Sequence, residues 1–217
     1  SGILETIAQV EAGSSHTAAL ATSGNFYTWG LGASGQLWSG ATSNVNTPAS
    51  RKSGIGYGRD SFAPIMGGTD ASNYLGDRLQ IAAGPNNTWA IDFNGQYIWS
   101  AGLGTSGQLG DGTIVSKSSP VAVATLWVPD TSPRLLGNSS WTAVSAGRTH
   151  TAAIRNNGML FTWGGNDYGQ LGLGDTVTRL SPTQLGSSSW TAVAAGEFMT
   201  VAIRSGGTLF TWGRGTE

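Results

Sequence analysis

The stretch WTAVSAGRTHTAAIRNNGMLFTWG, residues 141–164, breaks into short apolar-rich runs between glycines: WTAVSA, then HTAAI, then LFTW. Runs of this length between turn formers predict β-strands rather than helices. Asn156-Asn157-Gly158 predicts a tight turn, because asparagine and glycine tolerate positive φ, and two strands joined so closely must be antiparallel. Along TAAIR and MLFTWG the polar and apolar positions do not alternate. Threonine, alanine and large apolar residues fall on both faces, so both faces of the sheet are expected to be buried.

The pattern recurs. Anchoring on the glycine of VEAG, IAAG, VSAG and VAAG sets Gly13, Gly84, Gly147 and Gly196 in register. Threonine follows four positions later each time (Thr17, Thr88, Thr151, Thr200), then Leu20, Ile91, Ile154 or Ile203, then glycine again at Gly24, Gly95, Gly158 and Gly207. Trp29, Trp163 and Trp212 come next, each before a glycine, and GQL begins at Gly35, Gly107 and Gly169. Copy two departs: Ala101 stands at the tryptophan position and Trp99 two places earlier, on the same strand face, where it is expected to fill the same volume. Small sheets buried on both faces and repeated along a chain predict a β-propeller, with Ala and Thr near the crowded axis and Trp and Phe further out.

These residues resemble the regulator of chromosome condensation repeat family, whose units carry a comparable AG…HT.A…G.L..WG.N..GQLG.G pattern. The likeness covers three units nearly end to end and the first half of a fourth. It implies an all-β propeller of four-stranded antiparallel blades, usually seven, at about fifty residues per blade; Gly147 and Gly196 are 49 residues apart. The chain accordingly divides into repeat 1 (about 7–77), repeat 2 (78–140), repeat 3 (141–189) and half of repeat 4 (190–217), about 3.5 blades of a partial ring. The spacing from Trp163 to Gly169, copied onto Trp212, puts the next GQL glycine one residue past Glu217. The sequence is therefore expected to be part of a longer protein. An arc sealed by another chain and a self-closed ring of about four blades are the alternatives.

Between the repeat proline and the next repeat, copy three has seven residues, Thr183 to Ser189, where copies one and two have 29 (49–77) and 20 (121–140). Both insertions fall at the same point of the repeat and so on one rim, where insertions often mark a binding face. Arg51, Lys52, Tyr57, Arg59, Phe62 and Tyr74 in the first, and Trp127 and Arg134 in the second, are the candidate partner-binding residues, since arginine and aromatic side chains dominate interface centres.

Composition narrows the chemistry. Glycine supplies 34 of 217 residues and charged residues 11%, a turn-rich chain with few solvated helix faces, while nine tryptophans argue against disorder. Net charge is −1 with no basic stripe, which speaks against nucleic acid as a partner. There is no cysteine for a disulfide or thiolate site, and no apolar run long enough for a membrane span. His16 and His150 share a repeat position with Asn87 and Met199, and a position that accepts methionine reads as packing, not as metal ligation or general-base chemistry. Asp111 and Asp175 read as turn formers. GLGASGQL and GLGTSGQL lack the lysine ending of a phosphate loop.

The expected function is a non-enzymatic interaction or structural module without cofactor or metal, presenting rim loops to a protein partner or neighbouring subunit. The low charge and Ser/Thr/Gly richness are similar in style to virion or cell-surface repeat proteins. The family resemblance implies an alternative, guanine nucleotide exchange on a small GTPase, although no residues specific to that activity can be matched. A rim hydrolase is the third reading.

Overall fold

In the computed structural model, residues 5–23, 25–51, 80–91, 95, 97–123 and 140–215 are described. They contain no helix and form four antiparallel sheets. The first holds β1 (Ile7–Ala12), β2 (His16–Ala21), β3 (Phe26–Gly30) and β4 (Val45–Ser50); the second β5 (Gln80–Ala83), β6 (Asn87–Ile91), β7 (Ile98–Gly102) and β8 (Lys117–Ala122). The third holds β9 (Trp141–Ala146), β10 (His150–Arg155), β11 (Leu160–Gly164) and β12 (Arg179–Gln184), and the fourth β13 (Trp190–Ala195), β14 (Met199–Arg204) and β15 (Leu209–Gly213).

Every sheet is an up-and-down meander in chain order. Register repeats as well: Ala18 pairs with Thr28, Trp89 with Ser100, Ala152 with Thr162 and Val201 with Thr211. At the turn, Gly158 takes φ 79°, as the Asn-Asn-Gly signal requires, and its carbonyl accepts from the Trp190 amide at 2.8 Å, so the hairpin of one sheet docks on the first strand of the next. The opening strands β1, β5, β9 and β13 neighbour one another in that order, which places them innermost and makes each sheet a propeller blade.

The core lies between blades, not within one. Ala18, Leu20 and Phe26 of blade one face Ile81, Ala90 and Ala101 of blade two. Trp89, Ile91 and Ile98 then face Trp141, Ala153, Phe161 and Trp163, and Ala152, Ile154 and Leu160 face Trp190, Ala202 and Phe210. Blade three is therefore buried on both faces: every residue of β10 and β11 except the half-buried Arg155 is buried, as the missing alternation predicts. Blades three and four repeat one aromatic arrangement. Trp141 meets Phe161 and Trp163 edge-on with Arg155 4.6 Å over its ring, and Trp190 meets Phe210 and Trp212 with Arg204 5.2 Å away. Desolvation at the edge of this stack lowers the Arg155 pKa.

Copy two solves its missing tryptophan differently from the sequence expectation. Trp99 is only half-buried against the first interblade cluster. The space is filled by Trp38, from the GQL loop of blade one, which packs with Phe26 at 5.0 Å and joins the cluster containing Ala101. Its counterparts Gly110 and Gly172 explain why. A Cβ at Gly110 would stand 2.5 Å from Trp163 Nε1, and one at Gly172 would stand 2.8 Å from Trp212 Nε1, so a tryptophan on the next blade demands glycine there. Where Ala101 replaces that tryptophan, the Cβ direction is open and a large side chain fits. Trp38 is the one non-glycine residue with positive φ among the described residues, at 57°. That backbone strain is offset by burial of the indole.

A double-mutant cycle tests this exchange. Trp38→Gly should lower stability by roughly 3–5 kcal/mol through the cavity it leaves, and Ala101→Trp should lower it by about 1–3 kcal/mol or more through overpacking. The double variant, which restores the arrangement of blades three and four, should be more stable than either single variant in a denaturant melt; strict additivity would show that the two positions do not share a volume.

Candidate functional site

The polar residues shared by the repeats converge between blades. Thr88 Oγ1 donates to the Gln36 carbonyl at 2.9 Å, Thr151 Oγ1 to that of Gln108 at 3.0 Å, and Thr200 Oγ1 to that of Gln170 at 2.8 Å. Trp163 Nε1 and Trp212 Nε1 donate to the same Gln108 and Gln170 carbonyls at 3.0 and 2.9 Å. The glutamine side chains turn back into their own loops, where each Oε1 accepts the amide two residues earlier: Ser34, Ser106 and Tyr168. This is a joint between blades.

The two histidines belong to the same joint. His16 Nε2 lies 2.8 Å from Thr88 Oγ1 and His150 Nε2 2.8 Å from Thr200 Oγ1. Since each hydroxyl gives its single hydrogen to a glutamine carbonyl, it accepts from the histidine, and the proton sits on Nε2. Nδ1 of both rings is buried without a hydrogen-bond partner. Burial lowers both pKa values to about 4. The rings press on the anchor glycines: a Cβ at Gly13 would lie 2.3 Å from His16 Cε1, and one at Gly147 would lie 2.4 Å from His150 Cε1. Asn87, at the same position, instead donates to the Leu103 carbonyl of its own blade. These neutral, fully enclosed imidazoles hold blades together and present no lone pair to a substrate.

The carboxylates are local too. Asp111 Oδ1 accepts from the Thr113 amide and hydroxyl, and Asp175 Oδ1 from the Val177 amide at 2.9 Å. That amide and the Arg179 guanidinium hold the Asp175 carboxyl below its usual pKa. Among the described residues no group of three His, Asp or Glu side chains converges as a metal site would require.

Antiparallel meanders give the arc two edges. One carries the β2–β3 type turns and the connections between blades; the other carries the β1–β2 and β3–β4 type loops. Of the candidate partner residues expected on the first edge, Lys52, Tyr57, Arg59, Phe62, Tyr74, Trp127 and Arg134 lie outside the described residues. Arg51 is described, and its guanidinium turns onto its own blade: Nε donates to Thr28 Oγ1 at 2.6 Å and a terminal nitrogen to the Thr28 carbonyl at 3.1 Å. Its burial lowers the pKa. Ala49 and Ser50, counted with the insertion by sequence, are the last residues of β4 and pair with Thr28 and Tyr27.

Sequence reasoning missed a group on the opposite edge. Tyr168 and Phe198 meet at a tilt of 59° with centroids 5.1 Å apart, Arg148 lies 5.7 Å from the Phe198 centroid, and Arg214 lies 5.1 Å over Tyr168. Arg148 also pairs with Glu197, and both line a cavity of about 650 Å³ along the inner ends of the four blades, with Gly13, Gly84, Gly147 and Gly196 on its wall. The available signal was departure from the repeat: copy one has Ser14, Ser15, Ser34 and Leu31 where Arg148, Phe198, Tyr168 and Arg214 come later.

The buried histidines predict an acid limit. Their folded pKa, about 4, lies below the ordinary 6.5, so the unfolded chain binds more protons between these values. Stability should be complete above pH 6.5 and fall as pH drops toward 4, by roughly 3 kcal/mol per histidine. The double variant His16→Asn, His150→Asn should start lower at neutral pH, having lost two interblade bonds, but show a flatter melting temperature across that window. An equally steep profile would move the proton uptake elsewhere.

Comparisons with known proteins agree with this architecture. Two models described as the regulator of chromosome condensation (RCC1) repeat match, one at residues 97–154 and 157–203 and the other at 7–36 and 141–170. The chain is 28% identical to the ultraviolet-B receptor UVR8 of Arabidopsis thaliana over 81% of its length and 33% of the receptor's. It is 30% identical to the human probable E3 ubiquitin-protein ligase HERC3 over 77% of its length and 13% of that protein's. It thus spans a third or less of either. Among solved structures, human WBSCR16 superposes with TM-score 0.71 at 20% identity, over 98% of this chain and 49% of that one. Yeast RCC1 (Prp20), solved bound to Kap60, superposes with TM-score 0.72 at 21% identity, over 98% and 45%. With the repeat models together matching residues 7–36 and 97–203, more than half of its length, the chain belongs to the regulator of chromosome condensation repeat family.

Proposed function

We propose that this chain is a non-enzymatic interaction module, a rigid arc of blades that presents edge loops to a protein partner or a neighbouring subunit. One observation carries the reading: the buried threonines and histidines of the repeat are engaged in joining blade to blade, whereas the blades differ from one another in their loops. A stiff frame with variable loops lowers the ordering cost of binding without itself changing shape. The structural relatives point the same way for themselves: yeast Prp20 was solved with Kap60 and studied for binding to Gsp1p and histones.

Lys52, Tyr57, Arg59, Phe62 and Tyr74 in the first insertion, with Trp127 and Arg134 in the second, are the contacts we assign to the partner on this edge. Arg51 is left out, because its guanidinium is held by Thr28. A virion or cell-surface setting fits the low charge and the Ser/Thr/Gly-rich composition.

Replacing residues 49–77 with the seven residues Thr183–Ser189, which close the same connection in blade three, should leave the thermal melt nearly unchanged, because loop shortening on a surface costs little when strands are kept. Binding or assembly with the natural partner should fall at least tenfold. Retained binding would remove the insertion from the partner surface. A nucleotide-release assay with small GTPases on the same two proteins would, if it showed exchange, favour the family's enzymatic regulator role instead.

A further inference from the structure

We infer that the opposite edge of blades three and four is a second docking surface, built for an acidic protein segment that also carries aromatic side chains. The inference rests on the reading of the chain as an interaction module and adds a different surface with its own chemistry.

Phe198, from the β13–β14 turn, has two guanidiniums near its ring, Arg148 5.7 Å and Arg214 6.0 Å from its centroid, and the tilted Tyr168 ring 5.1 Å away. These residues come from three different loops and from the segment after β15, so the fold assembles them. Tyr168 is 44% exposed, and the Arg148 and Glu197 side chains are more than half exposed. None is demanded by the repeat: blade one folds with serines at three of these positions and leucine at the fourth. Large aromatic and arginine side chains that stand where serine suffices, and stay partly in water, have the composition of an interface centre.

Charge selects the occupant. Arg214 lies over the Tyr168 ring, and among the described residues its guanidinium has no carboxylate partner. A guanidinium lying on an aromatic face keeps its fork of N–H donors free for a carboxylate, which it can take bidentately without leaving the ring. Arg148 is paired with Glu197, but an ion pair this exposed is weak and can be exchanged for an incoming carboxylate. Asp167, next to Tyr168 and exposed, and Glu197 itself are the countering charges, and they limit how many carboxylates this edge accepts. The exposed Ile114, Val115 and Val177, in the β7–β8 and β11–β12 loops, lie on the same edge and extend it with apolar area. A segment with carboxylates for the arginines and rings for the Phe198–Tyr168 pair matches both features.

The test is fluorescence anisotropy of the full chain with a labelled copolymer of glutamate and tyrosine, against polyglutamate and polylysine. The copolymer should bind, more weakly as salt rises, polyglutamate should bind less well, and polylysine should not bind. Phe198→Ser with Tyr168→Ser, which copies blade one, should keep the thermal melt and lose at least tenfold in affinity. Arg214→Leu, also copied from blade one, should lose severalfold and flatten the salt dependence. The chain with residues 49–77 replaced should bind the copolymer as before, which separates this surface from the insertion rim. Unchanged affinity in the serine variant, equal binding of polylysine, or no binding by the unaltered chain would overturn the inference. Loss of copolymer binding only on replacing the insertion would do the same, while leaving the rim reading intact.

Discussion

One main-chain carbonyl at each joint between blades holds the arc together. The glutamine carbonyl of each GQL loop is where the next blade attaches: at Gln108 and Gln170 it accepts both a threonine hydroxyl and an indole N–H, and at Gln36 the hydroxyl alone. Because that oxygen is buried, leaving it unpaired would cost its full desolvation, so the repeat must keep a donor facing it. The surrounding motif follows. The glutamine side chain fixes its loop through the amide two residues back, the histidine supplies the threonine with a donor, and the anchor glycine leaves room for the histidine ring.

This explains why the fold was legible in the sequence and most of the function was not. Spacing among Gly147, Thr151, Gly158, Trp163 and Gly169 reports a geometric joint, and a joint must recur wherever two blades meet. The doubly buried strands could be read from missing alternation in β10 and β11 because burial on both faces removes the need for a polar side. Arg148, Tyr168, Phe198 and Arg214 obey no such rule. They come together only when three loops and a strand end are brought to one edge, and no spacing in a single chain announces that. Arg51 shows the converse: it stood out by residue type, yet its guanidinium is held by Thr28.

The histidines illustrate how position decides chemistry. An imidazole beside a hydroxyl is a familiar catalytic pairing, yet here the hydroxyl hydrogen already belongs to a carbonyl, the ring is enclosed, and burial holds the pKa near 4. The same atoms that would make a nucleophile elsewhere make a tether.

Trp38 gives the first two blades a relationship the others lack. Blade three carries its own tryptophan and, in Gly172, the glycine that the tryptophan of the following blade needs, so in physical terms it could be lifted out or duplicated without a clash. Blades one and two cannot be separated in this way. A copy of blade one placed ahead of blade three would drive the Trp38 indole into Trp163, and a copy of blade two placed after blade three would leave Gly172 facing an empty space beside Ala101. They can be transplanted without a clash or a void only as a couple, whereas a cut between blades three and four meets a matched glycine and tryptophan on either side.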